Sequence, residues 1–389
     1  GRIWTSRAWQ TIPVDLGASW IHGVRGNPLT SLADGLQVPR LPTDYDSAVL
    51  YDLTGKEMPD RAWRDVSSFI SQGHKAVRRA RASQKDVSVE TALRMRLNLE
   101  LLSEDELRLF EFAVSEEVEK SFAADISELS AQRFNEGKEF KGGDVLFPGG
   151  YDALLNHLSS DLKIKFGRVV DKLKIDGDLV TVTANDEEWS ADRVILTLPI
   201  GVLKKEKIQF DPALPEKKNN AIAAIGSGLL NKVTLKFPDT FWDRKPHWIT
   251  RLSQEKGAFS TWLNFVPYTG APVLQAFNAG SFARRMEQLS DEEITERAFS
   301  SLKTLYGNTI PEPTSVQTTR WESDPFASCS YSFPALGMTE HSRIDLAEPI
   351  LNRLFFAGEA TSSDYPSTVH GAYLSGLREA DRISQILEE

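Results

Sequence analysis

The sequence predicts a mixed α/β and α+β protein made of two interleaved domains, and three observations carry that expectation. Strand-then-helix units stand at both ends of the chain. A charged stretch with helical periodicity interrupts the first half, over residues 55 to 135. Strands and helices recur in mixed order from 228 to 345. A chain of 389 residues holds two domains at about 150 residues each, and this order of elements favours interleaved over consecutive domains.

Taken in order, Ile12, Val14 and Leu16 alternate with polar neighbours and predict a short strand that breaks at Gly17. In the helical stretch, Ser103-x-x-Glu106 forms a capping box ahead of Leu107, Phe110, Val114 and Val118 at helical spacing. Phe147-Pro148-Gly149-Gly150 reads as a turn and Tyr151 to Leu158 as a helix. The period then changes to that of strands. Leu162, Ile164 and Phe166 alternate, Val169 to Ile175 continues extended, Asp176-Gly177 turns, and Val180-Val182 pairs back. Val194 to Leu198 is an apolar run stopped by Pro199. A strand over Lys232 to Phe237 and a helix over Asp291 to Leu305 follow. The last unit is a strand, Leu354 to Ala357, then a glycine, a loop and a helix over Gly371 to Leu387.

Composition removes whole classes of function. Hydrophobic residues at 41% and charged residues at 26% exclude collagen-like, mucin-like and wholly disordered chains. No apolar run reaches the roughly 18 residues of a spanning helix, so a membrane-embedded enzyme is not expected. The balance of 45 basic against 55 acidic residues, net −10, repels phosphate backbones and argues against a nucleic-acid partner. Cys329 is the single cysteine and has no internal disulfide partner, which points to a reducing, intracellular setting, cytoplasmic or peroxisomal. The six histidines show no HxH or HExxH spacing, so no metal site is expected.

Familiar catalytic signatures are absent. There is no GxSxG elbow and no Walker A loop, and Gly226-x-Gly228-x-x-Asn231 lacks the third glycine and the acid of a dinucleotide fingerprint. Four segments stand out on backbone grounds. Gly17-Ala18-Ser19-Trp20-Ile21-His22-Gly23 puts small residues at a strand end, where a flat ring could approach the main chain, although from this segment alone a tight strand-to-helix turn is the favoured reading. Ala357-Gly358-Glu359 closes a buried strand, and Thr368-Val369-His370-Gly371 opens a helix whose free N–H groups suit an anionic oxygen. Lys232 shares a strand face with Thr234 and Lys236, opposite Val233, Leu235 and Phe237. From residue types alone that lysine reads as solvated on an edge strand, and Trp321, Phe326, Tyr331 and Phe333 read as core.

Together and in this order, the segments resemble the flavin-containing amine oxidases, the family of polyamine and spermine oxidases, lysine-specific histone demethylases and monoamine oxidases. The resemblance covers essentially the whole chain. Gly1-Arg2-Ile3-Trp4-Thr5 is similar to the end of the family's GGR-x-x-T motif, and Asp15 to Gly23 to its strand and loop under the flavin. Leu229-Leu230-Asn231-Lys232-Val233 with Phe241-Trp242-Asp243 resembles the segment of the active-site lysine. Leu354 to Glu359, then Tyr365 to Ala372 and Ser375-Gly376, resembles the C-terminal flavin motif almost letter for letter. The family opens with a βαβ unit carrying GxGxxG, and this chain starts just after it. The resemblance therefore implies a Rossmann-like FAD-binding domain, incomplete here, over 1–30, 145–205 and 346–389. A substrate domain with mixed sheet and the helical insertion would occupy 31–144 and 206–345. It also implies that an upstream segment or a second chain completes the FAD site.

Carried over by position, the resemblance places Arg2 at the flavin or pyrophosphate and the backbone of Ala18, Ser19 and Trp20 along the isoalloxazine. Val170 would read the adenine, Trp321 would belong to the cofactor site, and Glu359 would bind the ribityl-phosphate region. Thr368 and Val369 would bring helix-start amides to the flavin edge, and Lys232 would hold, through a water, its N5 side. His22, Tyr331 and Thr368 would face the substrate, with Glu136 and Glu139 as candidates for distal ammonium groups. With no cysteine in the C-terminal segment, FAD is expected to be noncovalent, and residues 55 to 140 are too few for the demethylases' tower. The implied activity is oxidation of a small-molecule polyamine, of spermine or N-acetylpolyamine type, by molecular oxygen. A catalytically silent homologue acting as a binding or assembly module, or an oxidase or demethylase for another amine, are the alternatives.

Overall fold

The computed structural model describes residues 1–83 and 85–388. Its largest sheet has six strands, ordered Ser315–Thr318, Leu230–Lys236, Val273–Ala279, Thr261–Asn264, Trp248–Arg251 and Ala48–Tyr51. All neighbours are antiparallel except the last pair. One face packs Val233, Leu235, Ile249, Trp262, Leu274 and Ala276 against Ile294, Ala298 and Leu302 of the Asp291–Tyr306 helix. The other packs Trp248, Leu263, Val273 and Phe277 against Trp9, Val14 and Leu16 near the chain start. The alternation of Val233 and Leu235 with Lys232 and Thr234 thus turns the lysine towards the 14–16 segment. The Leu230–Lys236 strand is paired on both sides and Lys232 is 3% exposed, which corrects the edge-strand expectation.

The charged stretch folds as helices Asp60–Arg81, Val89–Arg94 and Glu104–Val114, the last starting at the expected capping box of Ser103 and Glu106. That helix runs on through a π-helical turn, Ser115–Glu119. A second sheet orders Gln209–Asp211, Val170–Asp176, Leu179–Ala184 and Glu187–Ala191, and Val194–Leu196 pairs in parallel with Leu354–Phe356. The final helix is Val369–Glu388.

Two expectations fail for physical reasons. Leu162, Ile164 and Phe166 form no strand and are 64%, 49% and 84% exposed, because an alternating pattern becomes a strand only where a neighbour supplies hydrogen bonds and a face to cover. Phe326, read as core, is 63% exposed beside buried Trp321 and Phe333. The strand expected from Ile12 to Leu16 shortens to Val14–Asp15, paired with Thr5–Ser6. Among the described residues no helix is long and apolar enough to cross a membrane.

Trp262 is wholly enclosed at the centre of the large sheet and donates its indole N–H to the Phe259 carbonyl at 3.1 Å. Trp262→Ala is expected to lower unfolding free energy by about 3–5 kcal/mol, read by urea denaturation. A change under roughly 1 kcal/mol would show that this sheet is not the main core.

Candidate active site

The 15–20 loop is built by close backbone approach. A Cβ on Gly17 would stand 2.0 Å from the Arg2 carbonyl, and Ala18 N–H donates to that same oxygen at 3.0 Å. The packing leaves room for glycine alone. Trp20 then pairs with Leu146 in a short strand and donates its indole N–H to Thr43 Oγ1 at 2.8 Å. Lys232 reaches into the bend: its Nζ lies 2.8 Å from Asp15 O, 2.7 Å from Gly17 O and 2.6 Å from Ser19 Oγ. Burial pulls the ammonium down to about 7 against the opposing pull of Asp15. Burial likewise pushes the Asp15 carboxyl up to about 6, opposed by Thr5, the Tyr151 amide and Lys232. The rings of Trp20 and Phe277 stand 5.8 and 5.4 Å from Nζ. Trp20 stacks on Trp248 at 6.1 Å, and Trp248 on Tyr45 at 5.7 Å.

A second polar centre lies at Glu359, 5% exposed. Its Oε1 accepts from Arg2 Nη1 at 2.8 Å and Ser332 N at 3.2 Å, and its Oε2 from Ser332 Oγ at 2.6 Å and Ser367 N at 2.9 Å. Burial alone would raise this carboxyl, but Arg2, Ser332 and Arg343 outweigh it and hold it below the usual carboxylate range. Just before it, Gly358 has φ +118° and opens onto space, with Thr197 O 3.9 Å from a Cβ placed there. This is the carboxyl end of the parallel strand pair, where α/β sheets bind ligands. At the head of the final helix, Thr368 Oγ1 accepts from Gly371 N at 3.0 Å and donates to Tyr365 O at 2.9 Å. The amides of Val369 and His370 have no acceptor among the described residues. An open strand end, free helix-start amides and the half-exposed Gly17–Ala18 backbone fit a flat group that carries negative charge.

Residues 1–384 match the family model described as flavin containing amine oxidoreductase. The chain belongs to that family. FAD is accordingly its cofactor. The chain is 34% identical over 99% of its length to lysine-specific histone demethylase 1 homolog 2 of Arabidopsis thaliana, and 34% identical over 98% to polyamine oxidase 2 of the same plant. It spans about half of the first protein (54%) and 80% of the second. Cyclohexylamine oxidase from Brevibacterium oxydans superposes with a TM-score of 0.80 at 19% identity, covering all of this chain and 92% of the other. That likeness establishes the expected mixed α/β fold.

Within this family member, Lys232, Ala18, Ser19 and Trp20 form one cluster, and Arg2 and Glu359 are paired with each other. The Ser19 side chain is turned to the lysine, a contact not expected from backbone lining alone. Trp321 is buried, edge-on to half-exposed Trp4 at 6.1 Å, and its backbone N–H donates to Asn231 Oδ1, next to Lys232. Tyr331 donates its hydroxyl to Lys120 O at 2.7 Å, which fixes the ring. His22 is exposed, stacks on Trp20 and meets Asp144 Oδ2 through Nδ1 at 2.7 Å, while Tyr45 OH donates to the same oxygen at 2.9 Å. Val170 begins its strand opposite Ala184, beside a bulge. Val369 is half-buried beside the helix start. Glu136 differs from expectation: its Oε1 takes Arg343 Nε at 3.1 Å and Nη2 at 2.6 Å, and Arg343 is 2% exposed, so this carboxylate is committed inside the protein. Glu139 is exposed. Asp15, Tyr45, Asp144, Trp248 and Phe277 were missed by sequence reasoning, since the folding of distant segments alone brings them together.

The depressed pKa of Glu359 fixes the sign of its contribution. Its stabilisation is complete above the ordinary value of 4.5 and is lost as pH falls through the lower folded value. Glu359→Gln is therefore expected to cost roughly 1–3 kcal/mol at pH 7 and to shed flavin more readily. The gap to the parent should narrow in denaturation curves below the ordinary value. A gap independent of pH would show that the carboxylate's charge is not what matters.

Proposed function

We propose that the chain oxidises a polyamine of the spermine or N-acetylpolyamine type at a carbon next to a secondary amine. The imine formed is hydrolysed to an aldehyde and a shorter amine, and oxygen is reduced to hydrogen peroxide. The observation that carries this reading is Lys232, a buried ammonium poised near neutrality and clasped by the loop whose backbone would meet the flavin. Noncovalent FAD would be held by Arg2, Ala18, Ser19, Trp20, Val170, Trp321, Glu359, Thr368 and Val369, and when bound it supplies the two-electron oxidation. The protein's own residues supply the setting. Lys232 places positive charge beside the reacting region and so favours a neutral amine there. Trp20, Phe277 and Trp248 form an apolar wall that excludes water, and Tyr331, held by Lys120, offers a second wall for an alkyl chain. Asp144, below the usual carboxylate range through His22, Gly23 and Tyr45 despite burial, is the carboxylate beside exposed His22 that can meet a distal ammonium. The compact 60–122 helices, and a polyamine oxidase relative spanned over 80% of its length, favour a small amine over a histone tail.

A panel of spermine, N-acetylpolyamines, monoamines and a methyl-lysine peptide, assayed for peroxide, tests the substrate. Turnover confined to the peptide would replace this reading by demethylation, and none at all by a silent scaffold. In stopped flow, Lys232→Met is expected to slow flavin reduction or reoxidation by about 10-fold or more, roughly 1.4 kcal/mol in barrier. Lys236→Met, four residues along the strand on the same face, should behave as the parent. Both variants matching the parent in both half-reactions would remove Lys232 from the mechanism.

A further inference from the structure

The three partners of Lys232 are not equivalent. An ammonium has three N–H donors and no lone pair, whereas the neutral amine has two donors and one lone pair. The carbonyls of Asp15 and Gly17 can only accept, at 2.8 and 2.7 Å. Ser19 Oγ, at 2.6 Å, can accept from the ammonium or donate to the amine. Lys232 is therefore satisfied in both charge states without moving, and the one change required is the direction of the serine hydroxyl.

Ser19, whose hydroxyl otherwise reaches only the Gly17 carbonyl among the described residues, at a long 3.4 Å, also borders open volume. Asp15, Ser19 and Gln275 line a cavity of about 30 Å³, together with Leu146, Phe147 and Tyr268 among others. A water needs on the order of 10–15 Å³ and two to four polar partners, both of which this cavity offers. Trp20 and Phe277, the rings beside the ammonium, do not border it, and neither does Lys232 itself. The lysine meets the cavity through Ser19 and Asp15. The Oδ1 of Asp15 is engaged by Thr5 and the Tyr151 amide, while its Oδ2 accepts no hydrogen bond from the described residues.

We infer that Ser19 relays protons between Lys232 and water in this cavity, so that the lysine changes charge by a route separate from the substrate's side. The inference rests on the function proposed above. In the relay an N–H bond of Lys232 breaks and its proton bonds to Ser19 Oγ. Ser19 releases its own proton to the cavity water, which passes it outward, leaving a neutral amine and an intact, reversed hydroxyl. The reverse sequence restores the ammonium. Asp15 is the charged group that acts on Lys232, and Asp152 in turn acts on Asp15. Burial brings both members of the pair close to neutrality, as a relay working at ordinary pH requires.

The experiment follows the exchange of Lys232 Nζ protons with water in ¹⁵N-lysine-labelled protein as isolated, the signal being assigned by its loss in Lys232→Met. Ser19→Ala is expected to slow exchange about 10-fold or more, with Ser19→Thr, which keeps the hydroxyl, restoring most of it. Gln275→Met, which removes one polar partner from the cavity lining, should slow exchange with Ser19 in place and carries the test if Ser19→Ala does not fold. In stopped flow, Ser19→Ala should also show a larger solvent isotope effect and an altered pH profile. Exchange as fast as the parent in Ser19→Ala or Gln275→Met, or a Ser19→Thr as slow as the alanine, overturns the relay. Failure to oxidise any amine would instead sink the proposed function, while the exchange measurement still decides the relay.

Discussion

The burial of one ammonium group organises much of this molecule. Placing Lys232 on an inner strand at 3% exposure would be prohibitive without acceptors, because an unpaired charge in the interior costs several kcal/mol. The acceptors come from a loop more than 200 residues earlier, at Asp15, Gly17 and Ser19. The need to satisfy the charge therefore welds the start of the chain to the large sheet. The same bend needs a glycine at 17 to clear the Arg2 carbonyl, and this contact fixes the path of the first five residues.

A second chain of charges extends this logic. Arg2 meets Glu359, Glu359 meets Ser332 and Ser367, Ser332 meets Arg343, and Arg343 meets Glu136. Three regions distant in sequence, at residue 2, at residue 136 and over 332–367, are joined through groups that are mostly buried. Such a network is strong when complete and costly when a member is lost, since each remaining partner would be left without its counter-charge. It also explains why Glu136 does not face outwards as an acid for a ligand.

The fold class was legible because periodicity reports burial directly. The capping box at Ser103, the hairpin at Asp176-Gly177 and the helix from Asp291 each appear close to where the pattern set them. Lys232 could be located by its motif, but its burial could not be read from residue types, because an alternating strand looks the same at an edge and in the middle of a sheet. Asp144 and Trp248 carried no local signal, their place beside His22 and Trp20 being a product of packing. Leu162 to Phe166 misled for the converse reason: the pattern of a strand was present without a neighbouring strand.

That exposed stretch bears on how the protein behaves at concentration. Val194–Leu196 and Leu354–Phe356 form a two-stranded parallel sheet of their own, with Ile195 38% exposed. Parallel strands are normally found in larger sheets, and an unpaired strand edge is a template for pairing with a further strand. Leu162, Ile164 and Phe166 add oily surface outside any strand. Against this works the net charge of −10, which keeps copies apart at low ionic strength. Colloidal stability is thus a contest between long-range repulsion and local stickiness. Salt, by shortening the reach of the former and leaving the latter intact, turns it towards self-association.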